Sequence, residues 1–385
     1  MIKDKSERLA SIDFLRGCAA FSVVVFHAIG GVSEKAPLEI PWFRYTYSIL
    51  LYGDLGVPLF FVISGFCIHL QTAKYKTKNS TYNFSFVSFW KRRLFRLYPP
   101  YFVALCLSIG LLVATYLLNK QVATIDTYPS PKLGWMGADF LVHVFMLHGL
   151  HPFFNLAGGN PPFWTLACEE YLYIMYFVLL SGLRRIGIIS SSIVVLVLGL
   201  LFPLFFQPFL SPESLWWGVI TSSAIVLWFQ WVLGAVAVES HLGLISLPGW
   251  CSNLGFILIW GGGASLSSSN YKPLSSALWG LTFFTLINFC VKKERDGNWS
   301  QDYRLVGWFT KIGVFSYSLY LVHNPIRTIV RQLFGKLTLD AQPPLYLFIA
   351  FFCVLIPCIG GWIYYHLVER HFILTSKSST SVSAT

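Results

Sequence analysis

Residues 11–30 read SIDFLRGCAAFSVVVFHAIG. As a helix, about 20 mostly apolar residues cover about 30 Å, the thickness of a bilayer's hydrocarbon core. Lys3, Lys5 and Arg8 precede the run, which gives it the outline of a secretion signal. Asp13 and Arg16 interrupt it, however, and many further apolar segments follow, so the stretch is read as a retained first transmembrane helix. The rest of the chain has the same character. Its 385 residues are 55% hydrophobic and 12% charged, with a mean hydropathy of +0.61. An ordinary soluble domain carries about 25% charged residues. The composition therefore excludes disorder, a coiled coil and a disulfide-stapled secreted module, and it argues against a soluble two-domain enzyme. An aromatic content of 17% suits a lipid-facing surface with interfacial belts. The fold class expected is all-α, a polytopic transmembrane helical bundle.

Ten segments are apolar enough to span: 12–32, 49–71, 98–118, 164–181, 186–206, 217–238, 253–269, 273–291, 312–333 and 344–367. The stretch 137–150, GADFLVHVFMLHGL, is short and carries Asp139, His143 and His148. Charge placement decides how to treat it. With ten spans and a cytoplasmic N-terminus, 20 of the 28 basic residues fall inside and eight outside. Counting 137–150 as a span would move Arg184, Arg185 and the 292–311 cluster outside, so it is read as an interfacial segment at the outer surface. Arg327, Arg331 and Lys336 sit on the wrong side of this scheme. The net charge of +11 is thus a topology signal and not a nucleic-acid footprint. The eight cysteines lie almost all within apolar stretches and show no C-x-x-C spacing, so packing is their expected role. Residues 1–374 are taken as one integral-membrane domain, and the Ser/Thr-rich 375–385 as a disordered cytoplasmic tail.

Ionisable side chains inside spans are costly and mark functional sites by default. Arg16 and His27 are eleven residues apart, about three full turns, so they share one helix face about 16 Å apart. That face offers an anion anchor at one end and a titratable base at the other. The bland alternatives are a snorkelling arginine and a histidine in an interhelical hydrogen bond. In PPFWTLACEEYLYIMY, residues 161–176, Glu169 and Glu170 lie one to two turns into an apolar helix. In the ten-span scheme they reach the depth of His27, where a carboxylate would fix the imidazole tautomer and raise its basicity. The alternative is a structural ion pair between helices. In SFWKRRLFRLYPPY, residues 88–101, Arg92 and Arg96 are four apart and Arg93 and Arg96 three apart. They could hold phosphates or merely set topology. YGDLGVPLFFVISGF, residues 52–66, adds Asp54, Ser64 and a Pro58 that could kink the helix around a cavity. FSYSLYLVHNP contributes His323. The spacing of His143, His148 and His151 argues against zinc, and no metal is expected.

Taken together and in order, these stretches resemble the acyltransferase-3 family of multi-pass bacterial membrane O-acyltransferases. Ile12–Gly17 with Arg16…His27 is similar to its L-D-x-L-R-G opening and Arg-x10-His pattern. GVPLFFVISGF is similar to its G-V-x-x-F-F-x-I-S-G-F segment, and KRRLFRLYPPY to its Arg-rich motif. FWTLACEEYLY is similar to W-S-L-x-x-E-x-x-F-Y, with Thr165 in place of Ser. SYSLYLVHNP and HLVERHF are similar to two closing elements, with His371 in place of Pro. The resemblance implies transfer of a short acyl group, most often acetyl, from cytoplasmic acyl-CoA to a hydroxyl of a saccharide or lipid-linked glycan, as in polysaccharide modification. It implies His27 as catalytic base, Arg16 as its partner, and Glu169 or Glu170 as the acidic motif. Arg92, Arg93 and Arg96 would hold the CoA phosphates, with Asp13, Asp54, Ser64, Trp164, Tyr173 and His323 in support. The expected setting is the bacterial cytoplasmic (inner) membrane, with acyl-CoA and the acceptor as partners and a homodimer left open. Some relatives carry a fused C-terminal esterase-like domain; this chain is expected to act without one in cis. A proton-coupled transporter or flippase, with His27, Glu169 and Glu170 as a relay, is the alternative, but the paired half-repeats it should show are not found.

Overall fold

The computed structural model describes residues 9–30, 40–78, 85–119, 133–268, 271–334 and 343–373. These form fourteen α-helices with short 3₁₀ turns, and no strand occurs among the described residues. The helices are α1 (Ala10–Gly30), α2 (Pro41–Leu51), α3 (Gly56–Lys78), α4 (Phe86–Asn119), α5 (Leu133–Val144), α6 (Pro152–Asn155) and α7 (Trp164–Phe206). They continue with α8 (Leu215–Thr221), α9 (Ala224–His241), α10 (Leu254–Ser267), α11 (Lys272–Arg295), α12 (Arg304–Val314), α13 (Ser316–Phe334) and α14 (Pro343–Tyr364). The all-α, polytopic class is as expected. The tail 375–385 lies outside the described residues.

Counted by length and composition alone, the described helices give fewer candidates than the ten expected segments. Seven described helices are long and apolar enough to cross a membrane, or eight if α12 and α13 together make one span. The difference has identifiable sources. Helix α7 is 43 residues long, about 65 Å if straight, which is twice a bilayer core. It is broken at Gly187, whose φ of 78° and ψ of 169° are not helical. That break separates the two segments expected as 164–181 and 186–206. Helix α10 has only 14 residues, about 21 Å, below a full span. Helix α5, with 12 residues, is shorter still, so 137–150 does not contain a spanning helix. Pro58 does not kink α3: it falls in the first turn, where its missing N–H would have had no partner.

The chain divides into two compact units. Unit one comprises Met1–Ala19, Leu55–Phe84 and Cys168–Val314. Lipid offers no hydrophobic drive between helices, so close backbone approach must do the packing. Helices α3 and α9 meet through reciprocal glycines. A Cβ on Gly65 would lie 1.8 Å from the Trp231 carbonyl oxygen, and one on Gly234 2.0 Å from that of Val62. The start of α1 meets α12 in the same manner, with Gly17 against Phe309 and Gly313 against Asp13. The free amides of Ala10 and Ser11 donate to the Glu294 carboxylate at 2.8 and 2.9 Å, an acidic cap suited to the positive end of a helix.

Unit two comprises Ala20–Asp54, Ser85–Ala167 and Phe315–Thr385. Helices α13 and α14 pack closely, with Gly361 against the Leu319 backbone. Tyrosine hydroxyls fasten the remainder to backbone carbonyls. Tyr98 donates to Val144 and Tyr101 to His143, tying α4 to α5. Tyr317 donates to Leu97, Tyr364 to Pro100 and Tyr346 to Ile29. Glu369 accepts from the Ser318 amide at 3.1 Å and from its hydroxyl, capping the first turn of α13.

Candidate active site

His27 lies near the end of α1 and His323 in the middle of α13, both in unit two. Their rings are 5.0 Å apart between centroids, and His323 Nε2 is 3.3 Å from His27 Nδ1. Neighbouring carbonyls fix the tautomers. His323 Nδ1 lies 2.7 Å from the Tyr320 carbonyl oxygen and 3.2 Å from that of Leu319, so it must carry the hydrogen. Its Nε2 is then an acceptor. His27 Nδ1 lies 2.9 Å from the Val23 carbonyl oxygen, one turn back on its own helix, so it too is an N–H. That hydrogen is shared between Val23 and His323 Nε2. The result leaves His27 Nε2 as a lone pair with no partner among the described residues, on a half-buried ring. An imidazole held on one nitrogen and uncommitted on the other is the state in which it can accept a proton.

The surroundings of His323 are polar and buried. Tyr320 and Thr165 hydroxyls meet at 2.6 Å, and both reach the Pro162 carbonyl at 3.0 Å. Asn160 Nδ2 donates to the Leu321 carbonyl at 2.8 Å. The 160–165 corner is thereby pinned to the turn of α13 that precedes His323. Thr165, the departure from the usual Ser, still supplies the hydroxyl this corner uses. Trp164 opens α7 and is half-buried. One turn beyond His323, Arg327 donates from Nη1 to the His27 carbonyl oxygen at 2.9 Å.

Arg16 stands on the same continuous helix as His27, half-buried, with no hydrogen bond or ion pair among the described residues. Asp13, one turn earlier, is buried. Arg92 is exposed in the first turns of α4, Arg93 lies over the Phe89 ring at 5.9 Å, and Arg96 is half-buried. Asp54 is exposed in the 3₁₀ turn before α3.

Glu169 belongs to unit one, where it ends a chain of hydroxyls. Trp231 Nε1 donates to Ser64 Oγ at 3.2 Å, Ser64 Oγ donates to Glu169 Oε1 at 2.7 Å, and Tyr173 donates to the same oxygen. Three residues named from sequence, Ser64, Glu169 and Tyr173, thus form one network. Glu170 is half-buried beside it. Below it, fully buried His69 bridges Tyr176 at 3.0 Å and Glu239 at 2.7 Å. The sequence reading did not find Glu239, Tyr320, Asn160 or the contact of Arg327 with His27.

A further buried cluster sits on α5. His143 Nδ1 lies 2.9 Å from Asp139 Oδ1, and the His143 and His148 rings stack at 3.9 Å and 6°. Gly158 N donates to Asp139 Oδ2 at 2.7 Å, and His148 Nε2 donates to the Phe163 carbonyl at 3.0 Å. Burial, with the His143 ring beside it, pushes the His148 imidazole down to about 3. This cluster is a clasp on the 133–163 segment.

A membrane protein, helical throughout its described residues, in which the histidine near the end of α1 meets one on α13, is a class defined by structure; its relatives give it a family. The profile described as "Acyltransferase domain" matches residues 9–364, and the chain belongs to this acyltransferase-3 family. Peptidoglycan O-acetyltransferase OatA of Listeria monocytogenes is 25% identical over 345 residues, covering 83% of this chain and 49% of that protein. O-acetyltransferase OatA of Staphylococcus aureus is 23% identical over 382 residues, covering 94% of this chain and 56% of that protein. The chain thus spans about half the length of the curated relatives it matches. No solved structure matches it.

Proposed function

We propose that the chain is a membrane O-acyltransferase that moves an acetyl or similarly short acyl group from cytoplasmic acyl-CoA to a hydroxyl of a saccharide or lipid-linked glycan. The observation that carries this reading is the uncommitted Nε2 of His27. In the reaction, His27 Nε2 takes the acceptor's hydroxyl proton as the oxygen attacks the thioester carbonyl. The carbon–sulfur bond then breaks, and the proton passes from His27 to the departing thiolate. His323 is the group seen to touch the ring, so the orienting role assigned from sequence to Glu169 or Glu170 falls in this reading to His323. Arg92, Arg93 and Arg96 supply the phosphate anchor for CoA, and Arg16 a cation further along the His27 helix. The membership of the family and the O-acetyltransferase names of its relatives support the reaction class. The excess of basic residues on one side of the ten-span scheme supports a cytoplasmic N-terminus in an inner membrane, with residues 1–374 as one membrane domain.

The test uses the purified full chain in lipid nanodiscs with labelled acyl-CoA and a hydroxyl acceptor. His27→Ala should lose about 10²–10⁴-fold in turnover, the usual contribution of a general base. Arg92→Ala should raise KM for acyl-CoA and leave turnover nearly intact. Near-normal transfer by a well-folded His27→Ala protein would end the proposal.

A further inference from the structure

Arg327 and Arg331 sit on the wrong side of the charge scheme, and the structure offers a reason. They stand one and two turns beyond His323 on α13, and residues four apart share a helix face. The Arg327 guanidinium is half-buried, and Arg331 is exposed. Of its five N–H donors, Arg327 uses one, toward the His27 carbonyl oxygen. Its Nε is buried without a hydrogen-bond partner, and no carboxylate among the described residues contacts it.

A purely structural account would make Arg327 a cap on the last turn of α1. That accounts for one donor only. A lysine or an amide could cap as well, without a guanidinium fork held away from water and without a second like charge one turn on, which is unfavourable. The fork is the geometry that receives a carboxylate or phosphate in two parallel hydrogen bonds. It also adjoins the histidine whose Nε2 is open.

We propose that Arg327, with Arg331 behind it, binds an anionic group of the acceptor, so that the acylated hydroxyl belongs to an acidic saccharide bearing a carboxylate or a phosphate. The inference rests on the reading of His27 as the base: the acid group seats on Arg327 while the hydroxyl meets Nε2. Arg327 is therefore a specificity-determining residue.

The experiment compares three acceptors with the full chain in nanodiscs: a neutral N-acetylhexosamine oligomer, the same oligomer carrying a carboxylate, and the same oligomer carrying a phosphate monoester. Wild type should favour a charged acceptor by about tenfold or more in kcat/KM, the worth of a charge-assisted hydrogen bond, with the difference in KM. Which charged acceptor is favoured distinguishes carboxylate from phosphate. R327Q should bring the ratio to about one, and R327K should retain part of it. R331Q, which leaves the α1 contact intact, should lower the ratio about two- to fivefold. A wild-type ratio near one overturns the inference. So does an R327Q protein that loses activity equally on all three acceptors, since that is the behaviour of a structural cap or of a group acting on the thioester oxyanion. A separate arm measures equilibrium binding of the three oligomers without acyl-CoA. Charge-dependent binding lost in R327Q sustains Arg327 as the anion site even if no transfer occurs and the acyltransferase reading fails. Equal binding by wild type and R327Q, or no binding by either, overturns it while leaving that reading to its own test.

Discussion

Replacing His323 by leucine tests the histidine pair most directly. The side chain is fully buried, and leucine fills a similar volume without an acceptor. His27 Nδ1–H then keeps one of its two acceptors, the Val23 carbonyl at 2.9 Å, and loses the longer one at 3.3 Å. Because the shorter bond survives, the ring keeps its tautomer, and the loss is that of one hydrogen bond. A buried neutral hydrogen bond contributes about 0.5–1.5 kcal/mol net, which is about a two- to twelvefold loss of rate. The contact acts on the ring and not on the donor, so the loss belongs in kcat, with KM for acyl-CoA unchanged. His323→Gln, whose amide oxygen can take the same N–H, should recover part of the loss. The assay is steady-state transfer of labelled acyl groups in nanodiscs, with thermal unfolding followed in parallel to compare folded fractions. If His323→Leu is folded and falls as far as His27→Ala, His323 is itself a reacting group and the positioning argument is wrong. If it is indistinguishable from wild type, the contact has no part in the reaction.

Three further outcomes are expected. Gly65→Ala should fail to assemble or unfold at markedly lower temperature, because its Cβ would stand 1.8 Å from a backbone oxygen that cannot step aside; overpacking of this kind costs about 1–3 kcal/mol or more, measured by thermal melts in detergent. Glu169→Gln should lower stability by about 1–3 kcal/mol, since the hydroxyls of Ser64 and Tyr173 both donate to its Oε1, and Ser64→Ala should cost less because Tyr173 remains. His148, ordinarily at 6.5 and held down to about 3 by burial, should make stability fall with acid. Above about pH 6.5 the ring is neutral whether the chain is folded or not; below it the unfolded chain takes up a proton that the folded one refuses until about pH 3. Its contribution is fully present above about pH 6.5 and declines below by up to roughly 1.4 kcal/mol per pH unit. The melting temperature should therefore drop from pH 7 to 5, and a His148→Phe protein should show a flatter profile.

What could be read from sequence divides along a physical line. Span-length apolar runs, isolated charges and basic loops are properties of composition and order, so the all-α membrane class was legible from residues 11–30 outward. Where a helix breaks is not of that kind. Gly187 is one of 30 glycines, and nothing in its neighbours distinguishes a positive φ from ordinary packing. The motifs that carry the family resemblance were equally mute about their work. Gly17 proves to be a helix contact, Glu369 a cap on Ser318, Tyr98 and Tyr101 fasteners to the α5 carbonyls, and Thr165 a partner of Tyr320. Each of these is a structural duty that a sequence motif can conceal.

His27 shows the same limit from the other side. Its spacing from Arg16 puts a titratable ring and a cation on one helix face, and a carboxylate is the orienting group such a ring suggests, because a charged neighbour is the stronger electrostatic partner. The contact observed is with a second imidazole 296 residues away. Such a partner fixes the direction of the ring through Nδ1 and leaves Nε2 open. In the proposed reaction that ring needs an open Nε2 and a fixed orientation, and the geometry supplies both. The guanidinium of Arg327 on the adjoining turn holds the backbone of the same residue through its carbonyl oxygen. Around His27 the contacts thus come from an imidazole and a guanidinium, while Glu169 takes its hydrogen bonds from Ser64 on α3 and Tyr173 on α7.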